Sequence, residues 1–293
     1  MAYYDAIVIG GGLTGIATAY YLAKGGASVL VLEQDQVNCG ASGRNAGSLH
    51  FQLEHRLIEH AGDRTEELSF YAALARLAIS DWRTLEAELG EDIELEMTGG
   101  LMLAESAAQI SKLEQKADIE SAQGLDVSLL DRGATLAKAP FLGDSIIGAL
   151  YCPDEGHCNP RLLSHAYARN AESAGATLLV QTTVKALHFR ANRWEVSTSD
   201  ADGKSHQYTA NTLVNAAGAW SSRVARMANL HLPVFPVGLM ISVTEKAPVI
   251  MQQLIQHVGR KLSIKQVSDG NLLIGGGWSA RLPQQEGQWQ NDY

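Results

Sequence analysis

The run Gly10-Gly11-Gly12-Leu13-Thr14-Gly15 lies between a short apolar stretch at residues 6–9 and a helical pattern at residues 13–24. In that setting each glycine of the GxGxxG spacing has a task. Gly10 permits the tight turn out of a strand, Gly12 lets the backbone approach a pyrophosphate, and Gly15 allows a helix to pack closely on that strand. The helix end, with Leu13 and Thr14 in its first turn, offers free N–H groups and a partial positive charge to an anion. Glu33 closes the next apolar strand, near the roughly twenty residues at which an acid accepts from ribose hydroxyls, and Gln34 stands beside it. A 2′-phosphate would be repelled there, which argues against NADP. A glycine-rich turn in an unrelated α/β protein is the alternative, disfavoured by this order of strand, helix, strand and acid.

The loop after the second strand separates the two remaining dinucleotides. Gly40-Ala41-Ser42-Gly43-Arg44-Asn45-Ala46-Gly47 supplies small residues, one hydroxyl and one cation, suited to run under a second phosphate and a planar ring. That favours an extended flavin, FAD, over NAD, which stays the alternative.

Other polar residues carry less. A substrate carboxylate calls for a bidentate arginine, and Arg44, Arg161 and Arg260 qualify by chemistry and not by position. His157 can polarise a substrate, although a lone loop histidine is more often solvated or satisfied. His50, His55 and His60 recur every five residues, which turns successive side chains by about 140° on a helix and builds no metal face. Cys152 and Cys158 do not form a CxxC pair, and with Cys39 they read as reduced thiols rather than a disulfide framework or a metal site. No metal is expected.

The elements needed to hold the glycine turn are legible around it. Residues 6–9 form a short apolar run expected of a parallel strand, beginning by Asp5. Residues 13–24 give a helix stopped by Gly25-Gly26, and residues 28–32 a second strand, the order that favours a right-handed crossover. Residues 65–89 are a long amphipathic helix whose Leu68, Tyr71, Leu74, Leu77, Ala78, Trp82, Leu85 and Leu89 read as core. Strand-like pieces at 93–97, 100–104 and 127–130 surround a helix at 106–123, as in an inserted α+β lobe. A helix at 160–174 is entered through Asn159-Pro160, and strands follow at 177–180, 184–189, 194–197 and 207–210. Residues 212–215 form a final apolar strand leading into Ala216-Ala217-Gly218 and a helix at 220–227. Residues 234–244 and 261–274 look like further strands of the second lobe, and 278–293 is polar and Gln-rich.

Composition sets outer bounds. With 293 residues, 46% hydrophobic and 19% charged, the chain can bury one large core or two smaller ones, and two lobes are favoured. A formal charge of -9 leaves no basic excess for a phosphate backbone, so no nucleic-acid partner is expected. Met-Ala-Tyr-Tyr has no features of a cleavable signal, and residues 6–17 contain four glycines and are too short to span a bilayer. A cytoplasmic location, peripheral at most to the inner membrane, is the expectation.

Four segments together resemble the FAD-dependent D-amino acid oxidase family, which includes glycine and sarcosine oxidases, D-amino acid dehydrogenases and opine dehydrogenases. They are Gly10 to Glu33, Ala41-Ser42-Gly43-Arg44-Asn45-Ala46-Gly47, Asp154-Glu155-Gly156-His157-Cys158-Asn159-Pro160, and Val214-Asn215-Ala216-Ala217-Gly218-Ala219-Trp220. The match runs the length of the chain in order. It implies an α/β fold, a glutathione-reductase-like FAD-binding (Rossmann-type) domain with an inserted α+β substrate domain. The FAD domain would take residues 1–92 and 151–229, the substrate domain 93–150 and 230–293. Ser42 and Gly43 would sit at the phosphates, Arg44, Asn45, Ala46 and Gly47 near the flavin ring, Val184 by its backbone at the adenine, and Ala217 and Gly218 against the ADP.

Two departures accompany the resemblance. Phe235-Pro236-Val237-Gly238-Leu239-Met240 lacks the arginine many members carry there, and the family continues past this C-terminus through a flavin-capping turn and a final helix. The expectation is therefore a truncated chain or one part of a split protein. The chemistry implied is oxidation of the C–N bond of a D-amino acid, glycine, sarcosine, proline-like or opine-like amine by hydride transfer to flavin. No catalytic side chain is assigned, since an amine bound neutral needs no strong base. Partners would be that small amine, an electron acceptor (oxygen or a respiratory carrier) and a partner subunit. The alternatives are a non-catalytic FAD-binding fragment or subunit, and an NAD-dependent dehydrogenase.

Overall fold

The computed structural model describes residues 1–54 and 65–280. The chain opens with β1 (Ala2–Ile9), α1 (Leu13–Lys24), β2 (Val29–Leu32), β3 (Ser48–Leu49) and the long helix α2 (Thr65–Leu89). It continues through β4 (Gly100–Ala104), α3 (Ala107–Ala122), β5 (Ser128–Asp131), α4 (Arg132–Lys138), β6 (Gly148–Cys152) and β7 (Gly156–His157). Next come α5 (Pro160–Ser173), β8 (Thr177–Leu179), β9 (Thr183–Arg190), β10 (Arg193–Ser199), β11 (Ser205–Asn215) and α6 (Ser221–Met227). The last elements are β12 (Ser242–Lys246), β13 (Leu254–His257), β14 (Ser263–Gln266) and β15 (Asn271–Gly275).

Two compact units result. The first comprises Met1–Phe51, Leu74–Met97 and Gly156–Phe235, the second Gln52–Ala73, Thr98–Glu155 and Pro236–Tyr293.

In the first unit the six-stranded sheet runs β8-β2-β1-β11-β10-β9. β1 lies between β2 and β11 and is parallel to both, with Ile7 opposite Leu30 and Leu213. Ala6 to Ile9 and all of β2 are buried, as an uninterrupted apolar run requires of a strand covered on both faces. α1 buries Ile16, Ala19, Tyr20 and Ala23 at helical spacing and packs on α5 through Tyr20 and Tyr167, whose ring centroids are 5.7 Å apart. β1 starts at Ala2, earlier than its apolar residues indicate, because residues 2–4 pair with residues 208–210 of β11. For a related reason residues 207–210 and 212–215 are one strand and not two. β11 pairs antiparallel with β10 over residues 205–210 and parallel with β1 over residues 208–215, so residues 208–210 are held on both sides and carry the strand across.

The second unit holds a seven-stranded sheet of order β12-β15-β14-β13-β4-β6-β5, antiparallel except for β13 and β4. β4 is buried throughout because alternate side chains enter two cores. Leu101 and Leu103 join Ala149, Met251 and Ile255, whereas Met102 and Ala104 join Leu113 of α3, Leu150 and Val258. The Ser106 hydroxyl caps α3 and the Asp131 carboxylate caps α4, accepting from Ala134 N at 2.8 Å.

Several sequence expectations give way here. Residues 93–97 form no strand: Glu86 Oε1 accepts from the backbone N–H groups of Ile93 and Leu95, Glu94 has φ of 55°, and only Glu96 bridges, to His157. Within residues 234–244 strand begins only at Ser242, after an isolated bridge between Leu239 and Ser279. Residues 261–274 break into β14 and β15 at Gly270, whose φ is +96°. α2 spans the expected residues, but Tyr71, Leu74 and Leu77 are 54%, 49% and 55% exposed, so they are surface and not core. Leu68, Ala72, Ile79, Leu85 and Leu89 supply the buried side. Among the described residues no helix is long and apolar enough to cross a membrane.

Candidate functional site

The C-terminal ends of β1, β2 and β11 lead into three turns that enclose a cavity of about 310 Å³ within the first unit. This is the crevice at which open α/β sheets bind ligands. Its floor is the glycine run. Gly10 has φ of +114°, and a Cβ there would run into the carbonyl of Ala216 at the end of β11. A Cβ on Gly15 would strike the carbonyl oxygen of Gly10, so α1 approaches the strand only because this residue has no side chain. Gly12 differs from both: its φ is −77°, in a region open to any residue, and an added Cβ would come 3.0 Å from Ser42 Oγ. What its missing side chain leaves is space at the start of α1, where no side chain of Gly12 itself caps the helix.

Glu33 stands against this floor. Its Oε2 accepts the N–H of Gly11 at 2.5 Å and its Oε1 the N–H of Asp35 at 2.8 Å. The backbone of Glu33 bonds Leu179 and Thr182, which brings Thr182, Thr183 and Val184 to the same wall. The loop residues Asn38 to Ser42 close the cavity beside the start of α1. Ser42 Oγ accepts the N–H of Leu13 at 3.0 Å, and Asn38, at φ of 68°, donates its N–H to Gly11 O.

Of the residues singled out in the sequence, Gly10, Gly12, Thr14, Glu33, Gln34, Ser42, Val184, Ala217 and Gly218 line this one cavity. Leu13 is outside the lining, its N–H bonded to Ser42 Oγ, and Gly15 lies behind, against the strand. Gly43 abuts the carbonyl of Asn38. Arg44, Asn45, Ala46 and Gly47 are outside the lining. Asn45 holds its own loop, donating to Ala41 O and Ser42 O and accepting from Gly47 N, while Arg44 is exposed.

The sequence reading missed Asn38, Trp220 and Arg223, which complete the wall. Trp220, Arg223, Val224 and Met227 recur at helical spacing just beyond the Ala216-Ala217-Gly218 turn, a periodicity that marks one face of a helix. Asn38 is a residue type that tolerates the left-handed region, which is a signal only once the loop's path is known.

The remaining candidates fall elsewhere. Arg260 is paired with Glu105, Arg161 is exposed, and His157 is buried with Glu96 Oε2 at 3.8 Å from its Nε2. His55 and His60 lie outside the described residues. All three cysteines are free thiols. Burial, reinforced by Glu155, pushes the Cys152 thiol up to about 12, so it is protonated and unreactive near neutrality. Among the described residues no cluster of three or more His, Cys, Asp or Glu is placed to hold a metal ion.

The cavity's chemistry fits the ADP half of a dinucleotide. The partial positive charge of the α1 N-terminus attracts a diphosphate, the space at Gly12 admits it, and an acid at the end of the second strand can accept from sugar hydroxyls. Residues 5–291 match the family model described as FAD dependent oxidoreductase. Human dimethylglycine dehydrogenase is 27% identical over 236 residues, 80% of this chain but 25% of that protein. Glycine oxidase of Geobacillus kaustophilus is 30% identical over 274 residues, 93% of this chain and 69% of that protein. The crystal structure of glycine oxidase from the same organism superposes with a TM-score of 0.81 at 28% identity, covering 96% of this chain and 72% of the other. The chain belongs to the DAO family of FAD-dependent oxidoreductases, whose cofactor is FAD. It spans about a quarter of the length of the dimethylglycine dehydrogenase it matches.

Proposed function

We propose that this chain binds FAD in the first unit and serves the oxidation of the C–N bond of an amino acid or secondary amine. The observation that carries the reading is that Gly12, without a side chain at the α1 N-terminus, and Glu33 line one cavity. In this reading Gly12, Leu13, Thr14, Ser42 and Gly43 receive the pyrophosphate and Glu33 and Gln34 the ribose. Val184 meets the adenine, Ala217 and Gly218 close on the ADP, and the Arg44 to Gly47 turn borders the ring. Bound FAD supplies the hydride acceptor for the carbon that bears the amine. The protein's part is to fix the cofactor, orient the amine and exclude water. The first unit is then the cofactor domain and the second the substrate domain.

The substrate class is a D-amino acid, glycine, sarcosine, a proline-like or an opine-like amine, in keeping with the names of the relatives. Oxygen or a respiratory carrier takes the electrons, in a cytoplasmic protein peripheral at most to the inner membrane. Purified protein reconstituted with FAD and mixed anaerobically with such amines tests this: bleaching of the flavin bands by one of them is the expected result. Flavin that no amine bleaches favours a second reading, a cofactor-binding component of a larger, multi-chain enzyme. That alternative is supported by a relative from Rhizobium meliloti, 27% identical over 283 residues, whose name makes it one component of an opine oxidase.

A further inference from the structure

The segment Asp154 to Pro160 and the charges buried near it are not accounted for by the cofactor cavity. In the second unit Glu155 is fully buried. Its Oε1 accepts the backbone N–H of Gln52 and its Oε2 accepts Gln52 Nε2, each at 3.0 Å. Gln52 Oε1 accepts from Lys116 Nζ at 3.0 Å, and Lys116 pairs with Glu120 at 2.6 Å. Glu120 Oε1 also accepts the N–H of Leu53 at 2.5 Å. Lys116, Glu120 and Gln52 are themselves buried. One cation, two carboxylates and one amide have thus been taken out of water and directed at two consecutive backbone N–H groups.

Withdrawing such charges costs several kcal/mol per ion, and a well-packed apolar cluster is often as stable. What the polar cluster adds is a defined place for residues 52–53. That place matters because of what the chain does on either side. Gln52 follows β3 by three residues, and Glu155 immediately precedes β7. β3 and β7 form a two-stranded ribbon, Ser48 opposite His157 and Leu49 opposite Gly156. The ribbon has no slack: a Cβ on Gly156 would strike Glu96 O, and one on Gly47 would strike Cys158 O. Cys158 N–H donates to Gly47 O at 3.0 Å, so the ribbon continues into the turn that ends the loop Ala41 to Gly47. A single carboxylate therefore joins the outgoing end of one ribbon strand to the incoming end of the other.

We propose that Glu155, braced by Gln52, Lys116 and Glu120, is a positioning residue that fixes the β3–β7 ribbon and, through it, the cofactor loop Ala41 to Gly47. Its geometry stands alone, and its consequence for the cofactor rests on the FAD reading above. Gln52→Leu removes both side-chain links yet keeps the backbone N–H for Glu155. Lys116→Met/Glu120→Gln removes both α3 charges yet keeps an acceptor for Leu53. Hydrogen exchange on cofactor-free protein should show the amides of Leu53 and Cys158 exchanging roughly tenfold faster in both variants, as loss of about one charge-assisted bond predicts. The amides of β4 and β6 should keep their protection. After reconstitution, FAD should leave each variant roughly tenfold faster than wild type. Unchanged ribbon exchange, uniform loss of protection through the second unit in both variants, or local loosening with unaltered FAD release would each overturn the proposal. If wild-type protein takes up no FAD, the cofactor reading fails by itself, and the exchange data still decide whether Glu155 holds the ribbon.

Discussion

The hydroxyl of Ser42 accepts the N–H of Leu13 at 3.0 Å, so the first turn of α1 is tied to a loop that follows it by almost thirty residues. The bond places a small polar group beside the bare Gly12, where an anion attracted by the helix end would lie. Helix end and loop are thus set by one another before any cofactor arrives. Replacing Ser42 with Ala leaves the Leu13 N–H without that acceptor, at a cost of about 1 kcal/mol in stability. A fluorescence titration should show FAD binding weakened by roughly tenfold, since the same hydroxyl is assigned to a phosphate. An unaltered dissociation constant would remove Ser42 from the site.

Glu33 carries two roles that substitutions can separate. Its carboxylate accepts from Gly11 N and Asp35 N, and in the proposed complex from the ribose. Glu33→Ala loses all of these, and because bonds to charged groups contribute about 1.5–3 kcal/mol each, affinity for FAD should fall by one to two orders of magnitude. Glu33→Gln retains an acceptor and should lose less. Equal affinities for the two variants, measured by equilibrium dialysis, would contradict an acceptor role.

Lys116 and Glu120 make a pH-dependent prediction. Burial holds the Glu120 carboxyl above its ordinary range, opposed chiefly by Lys116 and reinforced by Glu155, while the Leu53 N–H acts with Lys116. Burial likewise pulls Lys116 down, against Glu120 and Glu155. In Lys116→Met the main opposition to desolvation is gone, so the folded-state value for Glu120 rises further. A group whose folded value exceeds its unfolded one binds more protons when folded, so stability is lost as pH rises from about 4.3 through the raised value. Relative to wild type, the melting temperature of Lys116→Met should therefore fall progressively as pH is raised above the ordinary carboxyl value of about 4.3. A difference that stays constant as pH is raised would show that Glu120 does not titrate in the folded variant.

How much could be read before the fold was known follows a physical line. The α1 boundaries and the task of Gly15, whose Cβ would strike Gly10 O, depend on local sterics, which neighbouring residues in sequence declare, whereas the Ala216 carbonyl that excludes a side chain at Gly10 arrives from far along the chain. The continuity of β11 through Asn211 is not declared locally either, because it comes from β1, distant in sequence, which pairs with residues on both sides of Asn211, whereas β10 pairs only with residues 205–210. Tyr71, Leu74 and Leu77 obey helical spacing as well as Leu68 and Leu85 do, so periodicity alone could not say which stripe of α2 would be covered. In the site, Glu33 and Ser42 announce themselves by type and distance from the glycines, whereas Asn38 and Arg223 reach the cavity only through the paths of a loop and of α6. Lys116, Gln52 and Glu155 are ordinary polar residues in sequence, and their burial is a tertiary fact.

In the FAD reading, the missing side chain of Gly12 leaves the volume a pyrophosphate needs. Gly12→Val tests it most directly, because the φ of −77° accepts a side chain and the nearest contact, Ser42 Oγ at 3.0 Å, can shift. Wild-type and variant protein, both stripped of cofactor, should give matching far-ultraviolet circular dichroism. On titration with FAD followed by visible absorbance, wild type should retain flavin through gel filtration and the variant none. Retention of flavin by the valine protein at wild-type occupancy would mean that the diphosphate lies elsewhere.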